Sequence, residues 1–194
     1  MERPVGYLLN TREGLSGEPG VFFDYILASN GLFVRARNPL LAATVLVAPA
    51  EIRGLAPLDG RMELTHGKVP KALYDLAISV VAADPRREHY LAVTWDGGYH
   101  LRAPAQDGTP GGVSYERLPA TVLDIHSHGS MSAFFSGTDN RDEQGLRLYL
   151  VIGRLDTLLP EVEMRVGVYG YFAPVSTKDV FDMSGICRVY VGYM

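Results

Sequence analysis

The chain has 194 residues, 47% hydrophobic and 21% charged, with a formal net charge of −4; that is enough for one substantial core and gives no electrostatic reason to expect nucleic acid or an anionic membrane as partner. No apolar run reaches the roughly 18 residues of a membrane span, and the opening MERPVGYLLNTREGL lacks the basic and apolar regions of a secretory signal. The single cysteine, Cys187, excludes an internal disulfide framework and any multi-thiolate zinc site, so a reducing, cytoplasmic compartment is the expectation.

The first third reads as strands separated by turns. Val5–Leu9, Val21–Leu27, Leu32–Arg37 and Thr44–Ala48 are rich in branched and aromatic residues, with glycine, asparagine or proline between them. Asn30-Gly31 between two such runs predicts a type I′ hairpin. Glu51–Gly67, with Gly54, Pro57, Gly60 and Gly67, reads as a connector. Pro70 then opens a helical pattern in which Leu73, Leu76, Ala77, Val80 and Val81 recur at the spacing of an amphipathic face, and Asp84-Pro85 closes it. Glu88–Trp95 and Tyr99–Ala103 predict a hairpin around Asp96-Gly97-Gly98, and Gln106–Gly112 a loop. Thr121–Ile125 is apolar and β-branched, a buried strand. A short polar helix over Asp139–Gln144 and strands over Leu146–Ile152, Glu161–Phe172 and Ile186–Tyr193 follow. Mixed strands with few helices place the chain in the α+β class.

The chemistry concentrates at the end of the buried strand, in HSHGSMSAFFSGTD. Residues i and i+2 of a strand share a face, so His126 and His128 present both rings to one point while Ser127 turns away. Asp139 adds a carboxylate within fourteen residues. Two imidazoles and a carboxylate are the ligand types of a catalytic zinc ion that keeps its fourth position open. Taken alone, a His-x-His pair on a strand is more often incidental than a metal site, and Ser136-x-x-Asp139 also fits a capping-box helix start. A serine-capped turn and a metal ligand at Asp139 are compatible.

The spacing His126-Ser-His128-x7-Ser136-x2-Asp139 resembles the JAMM signature of the zinc-dependent isopeptidases of the MPN-plus, or JAB, family. The resemblance covers roughly Pro70 to Phe172. It implies a JAB/MPN-like mixed β-sheet flanked by helices, in the layout of cytidine deaminases, with residues 66–194 as the catalytic domain and residues 1–65 as an N-terminal β-rich extension. It also implies an upstream glutamate between the first helix and the next strand, the place Glu88 occupies; Glu51, Glu63 and Glu116 precede the motif as well. One departure is Gly129, where the family usually has proline, which predicts a looser loop after the ligands.

The resemblance implies a Zn2+ metallopeptidase that cleaves a peptide or isopeptide bond, with His126, His128 and Asp139 as metal ligands. Glu88 is then the general base and Ser136 a donor to the oxyanion. The substrate it implies is the C-terminus of a ubiquitin-like or sulfur-carrier-like protein, or a smaller peptide conjugate. VGYLLNTREGL and VAPAEIRGLAPL in the first third are similar to the JAMM proteins of the bacterial PRTRC cassette, which adds a ThiF-related adenylating enzyme as an expected partner. The alternative is a non-catalytic MPN-type scaffold, for which the N-terminal segment supplies a contact surface. Asp124, on the same strand face as His126, is either a carboxylate orienting a ligand histidine or a polar residue at a sheet edge. Phe134 and Phe135 read as core or as the wall of a groove. His66, His89, His100 and Trp95 read as local packing or hydrogen bonding.

Overall fold

Runs of branched and aromatic residues, broken every few positions by glycine, proline or asparagine, make strand the dominant regular structure among the described residues. The computed structural model describes residues 3–109, 112–116 and 118–184; the expected strand over Ile186–Tyr193 lies outside them. The first part is a six-stranded sheet of β1 (Val5–Thr11), β2 (Gly14–Glu18), β3 (Phe23–Ala28), β4 (Gly31–Arg37), β5 (Leu41–Pro49) and β6 (Arg61–Leu64). The order is β2-β1-β3-β4-β5-β6, parallel only between β1 and β3. Two of these strands differ from expectation. β2 is exposed along its whole length and so carries no apolar alternation, and β6 forms inside the expected connector by pairing Arg61–Leu64 with Leu41–Thr44. The hairpin between β3 and β4 is present, but its loop is Ser29-Asn30, Asn30 does not take positive φ, and the turn is not type I′.

The chain continues through β7 (Val69–Pro70), α1 (Lys71–Ala82), β8 (Tyr90–Trp95), β9 (Tyr99–Arg102), β10 (Gln106–Thr109), β11 (Gly112–Tyr115) and β12 (Thr121–Ser127). The last elements among the described residues are α2 (Gly137–Asp142), β13 (Leu146–Gly153), β14 (Glu161–Val168), β15 (Tyr171–Pro174), α3 (Thr177–Val180) and β16 (Phe181–Asp182). The expected loop at Gln106–Gly112 is instead the β10–β11 hairpin, tied to β8 because the Gln106 side chain bonds both backbone groups of Tyr90. The single strand expected over Glu161–Phe172 is split by Tyr169-Gly170, whose positive φ values of 50° and 90° make the two-residue turn between β14 and β15. Phe23 of the first sheet stacks on Tyr169 at 4.7 Å, so a tertiary contact holds a left-handed tyrosine that local preference disfavours.

The second sheet has the order β15-β14-β13-β12-β8-β9, with β12 and β13 its parallel pair and the other pairs antiparallel. Strand alternation divides it into two faces. Leu91, Ile125, Leu150 and Met164 lie in one cross-strand row on the apolar face. They share one buried cluster with Val34, Ala36, Ala43 and Val45 of the first sheet and with Ala77 and Val81 of α1. Residues 3–65 thus contain one sheet; buried side chains of β4, β5 and β6 join the core of the second sheet, while Leu8, Ile26, Ala28 and Phe33 form a separate buried cluster. Where a sheet flanked by helices was expected, this face is covered by the first sheet and α1 together. The helix is turned from its predicted stripe: Tyr74 and Ile78 face the core with Ala77 and Val81, while Leu76 and Val80 are exposed. Tyr74 packing on Phe181 of β16 at 5.0 Å sets that rotation. Pro70 stands at the N-cap of α1.

Candidate metal centre

The other face of the second sheet is polar. Its rows run Tyr90–His126–Val151–Glu163 and Ala92–Asp124–Tyr149–Arg165 across β8, β12, β13 and β14. The parallel pair β12 and β13 needs a crossover connection, and that connection carries α2. In open sheets, ligands gather at the carboxyl ends of parallel strands; His126 and His128 stand at that end of β12. The His128 amide donates to the Ile152 carbonyl at 2.8 Å, which carries the ladder past the last residue of β12 and keeps the alternation of the two rings. Ser127 turns away as predicted, its hydroxyl accepting from the His89 amide at 3.0 Å.

The crossover closes onto the histidines. Gly129 takes a φ of 57°, a conformation proline cannot adopt, and a Cβ there would stand 2.6 Å from the Pro85 carbonyl oxygen. The expected loosening is therefore corrected: glycine at this position permits a tight loop, and its carbonyl accepts from Leu155 at 2.9 Å. Gly153 allows an equally close approach, since its Cβ would meet the Ala133 amide nitrogen at 2.4 Å. The chain then reaches Ser136, the N-cap of α2, in a reciprocal capping box. Ser136 Oγ accepts from the Asp139 amide at 3.2 Å, and Asp139 Oδ2 accepts from the Ser136 amide at 2.5 Å. The capping reading and the ligand reading of Asp139 hold together: one carboxylate oxygen fixes the turn, and the other, Oδ1, lies 3.6 Å from His126 Nε2.

His126, His128 and Asp139 each offer one ligand atom, and these atoms lie within 4.8 Å of one another. His126 Nε2 and His128 Nδ1 are buried without a hydrogen-bond partner among the described residues. Leaving such groups unsatisfied costs about 1–3 kcal/mol each, and a cation between them relieves that cost. Burial pushes the His126 ring down to about 4, against the opposing charge of Asp139, with His128 and Arg165 adding to the fall. Burial also lowers His128. Both rings are therefore held neutral, the form in which imidazole binds metal. The donor set fits a metal ion.

All five predicted site residues, Glu88, His126, His128, Ser136 and Asp139, line one pocket of about 390 Å³. Glu88 is half-buried between α1 and β8; burial first, and the nearby charge of Asp139 second, raise its carboxyl above the usual range. Glu51, Glu63 and Glu116 lie elsewhere, Glu63 within β6, and none lines the pocket. Asp124 is at neither an edge nor a ligand histidine. It is buried in the middle of the sheet, where it accepts from the Tyr90 hydroxyl and from Arg147 Nη1 at 2.7 Å. Phe134 is largely exposed at the pocket wall, its ring 4.7 Å from that of His128. His66 stacks on Trp95 at 3.9 Å and His89 Nε2 meets the Asp84 carbonyl at 2.9 Å, both local roles.

Sequence reading missed Glu143 and Arg165. The Glu143 carboxylate and the Arg165 guanidinium form a buried pair. Burial nevertheless raises Glu143 to about 7, because loss of solvent outweighs the adjacent cation. The available signal was a charged residue, Arg165, between the apolar Met164 and Val166 in a strand; nothing in the chain order pointed to its partner.

Residues 77–166 match the model of prokaryotic homologs of the JAB domain, a stretch that contains all five site residues. This segment belongs to the JAB domain family. No curated protein matches the chain. No helix among the described residues is long and apolar enough to cross a membrane.

Proposed function

We propose that this protein is a zinc-dependent peptidase or isopeptidase. The observation that carries the reading is the convergence of two buried, unpartnered imidazole nitrogens on a carboxylate. His126, His128 and Asp139 would hold the ion, and two nitrogens with one oxygen are a donor set that would suit zinc. When bound, zinc supplies Lewis acidity, which polarises a carbonyl and acidifies water. Glu88, its carboxyl raised by burial and by the nearby Asp139, takes a proton from the attacking water and returns it to the departing amine. The Ser136 hydroxyl uses its oxygen to cap α2, which leaves its hydrogen free for the developing oxyanion. The substrate we propose is the C-terminal tail of a ubiquitin-like or sulfur-carrier-like protein, and the likeness of VGYLLNTREGL and VAPAEIRGLAPL to the PRTRC cassette's JAMM proteins favours a ThiF-related adenylating enzyme as partner.

The test pairs short model peptides with ubiquitin-like conjugates and compares wild type with Glu88→Gln. Glu88→Gln keeps zinc and loses hydrolysis by about 10²–10⁴-fold. Hydrolysis by Glu88→Gln at the wild-type rate assigns the base to another group, and no cleavage of any substrate by zinc-loaded wild type contradicts the enzymatic reading.

A further inference from the structure

No residue of α2 is buried, so no apolar face anchors the helix that carries Asp139. The capping box joins Ser136 to Asp139 but is internal to the turn; it shapes the turn without fixing it to the sheet. Arg165, on β14, makes that connection. Its Nη1 donates to Asn140 Oδ1 at 2.7 Å, and its Nε donates to Glu143 Oε2 at 2.8 Å, with Nη2 on the same oxygen. Its guanidinium carbon lies over the rings of Phe135 and Phe172, 3.7 and 3.8 Å from their centroids. One planar fork thus grips the residue before the N-cap, a residue within α2, and the residue at its C-cap. A longer contact of 3.5 Å, from the Tyr149 hydroxyl to the Gln144 carbonyl, follows just beyond. A lysine could not reproduce the grip, since stacking and the fork both need a planar group.

From this geometry we propose that Arg165 is a positioning residue for the metal centre: it holds α2 against the sheet and thereby sets Asp139 opposite His126 and His128. The proposal rests on the reading of those three residues as metal ligands. Arg165 touches none of the reacting atoms. It acts through Asn140, Glu143 and Phe135, as groups behind a ligand do when they orient it.

Removing Arg165 alone leaves Glu143 buried without its cation, so the variant to use is Arg165→Met/Glu143→Gln, which removes both charges and spares the fold that penalty. Amide hydrogen exchange of the metal-free protein reads the tie directly. The Asn140 and Glu143 amides, bonded to the Ser136 and Asp139 carbonyls, are expected to exchange at least about tenfold faster in the double variant, with the His128 amide and those of β12 unchanged. Zinc affinity, measured against a competing chelator, is expected to fall by about 10–100-fold. Wild-type exchange in α2, or equal acceleration in β12, overturns the proposal, and so does a zinc affinity within threefold of wild type. If wild type binds no zinc, the metal reading fails, while the exchange at Asn140 and Glu143 still decides whether Arg165 holds α2.

Discussion

The two halves of the metal centre are held by different means. His126 and His128 sit at the end of a strand laddered on both sides, to β8 and β13, over a row of fully buried side chains including Ile125 and Leu150. Asp139 sits on a six-residue helix with nothing buried, capped by Ser136 and held by an arginine. The histidine half draws its geometry from the same burial that folds the protein. The carboxylate half depends on a few contacts between α2 and the sheet, made through Arg165. A metal joining the halves would tie the weaker one to the stronger, in the way metal binding couples to local folding.

Breaking the strand half should cost the most stability and the least specificity. Leu150→Ala removes a side chain with no exposed surface next to Ile125. It is expected to lower unfolding free energy by about 2–5 kcal/mol in urea denaturation. Zinc affinity per folded molecule should stay at the wild-type value; a parallel loss would mean that the histidines do not take their geometry from register alone.

A pH titration of stability sharpens the contrast, because each half contributes one buried group of opposite sign. His126 is lowered from 6.5 to about 4, so the unfolded chain binds the extra proton between those values and stability rises with pH there. Glu143 is raised from 4.5 to about 7, so the folded chain binds the extra proton and stability falls as pH rises through that window. The two slopes, about 1.4 kcal/mol per pH unit each at full protonation difference, oppose one another from about pH 4.5 to 6.5. Metal-free Glu143→Gln should therefore gain stability as pH rises from about 4 to 6.5, where wild type is comparatively flat. A flat profile in the variant would contradict the lowering of His126, and a wild-type profile as steep as the variant's would contradict the raising of Glu143.

Breaking the carboxylate half should cost little stability. Ser136→Ala removes the N-cap acceptor and is expected to destabilise by about 1 kcal/mol in thermal or urea unfolding. In the zinc-loaded enzyme the same change is expected to lower kcat by about 10²–10³-fold through the lost oxyanion donor. An unfolding cost with no kinetic cost would leave Ser136 as a cap only.

The difference between the halves also explains what could be read from the sequence. The register of His126 and His128 follows from strand alternation, and the capping box from Ser136 and Asp139 at the right interval; both are local patterns. The turns show the limit. Asn30-Gly31 carries the local signature of a type I′ turn and does not form one, whereas Tyr169-Gly170 lacks the signature and takes both positive φ values because Phe23 stacks on it. The strand β6 needed β5 beside it, and the rotation of α1 needed Phe181. Arg165 and Glu143, 22 residues apart, meet only once β14 lies beside β13. What depended on a partner far along the chain was illegible for that reason.

The central claim is that His126, His128 and Asp139 hold one metal ion. Its most direct test is a zinc titration of the metal-free protein against a competing chelator, for wild type, His128→Ala and Asp139→Ala. The structure predicts one zinc per wild-type chain and loss of that site in both variants, each still folded. Wild type without a stoichiometric site, or variants that bind zinc as wild type does, would contradict it.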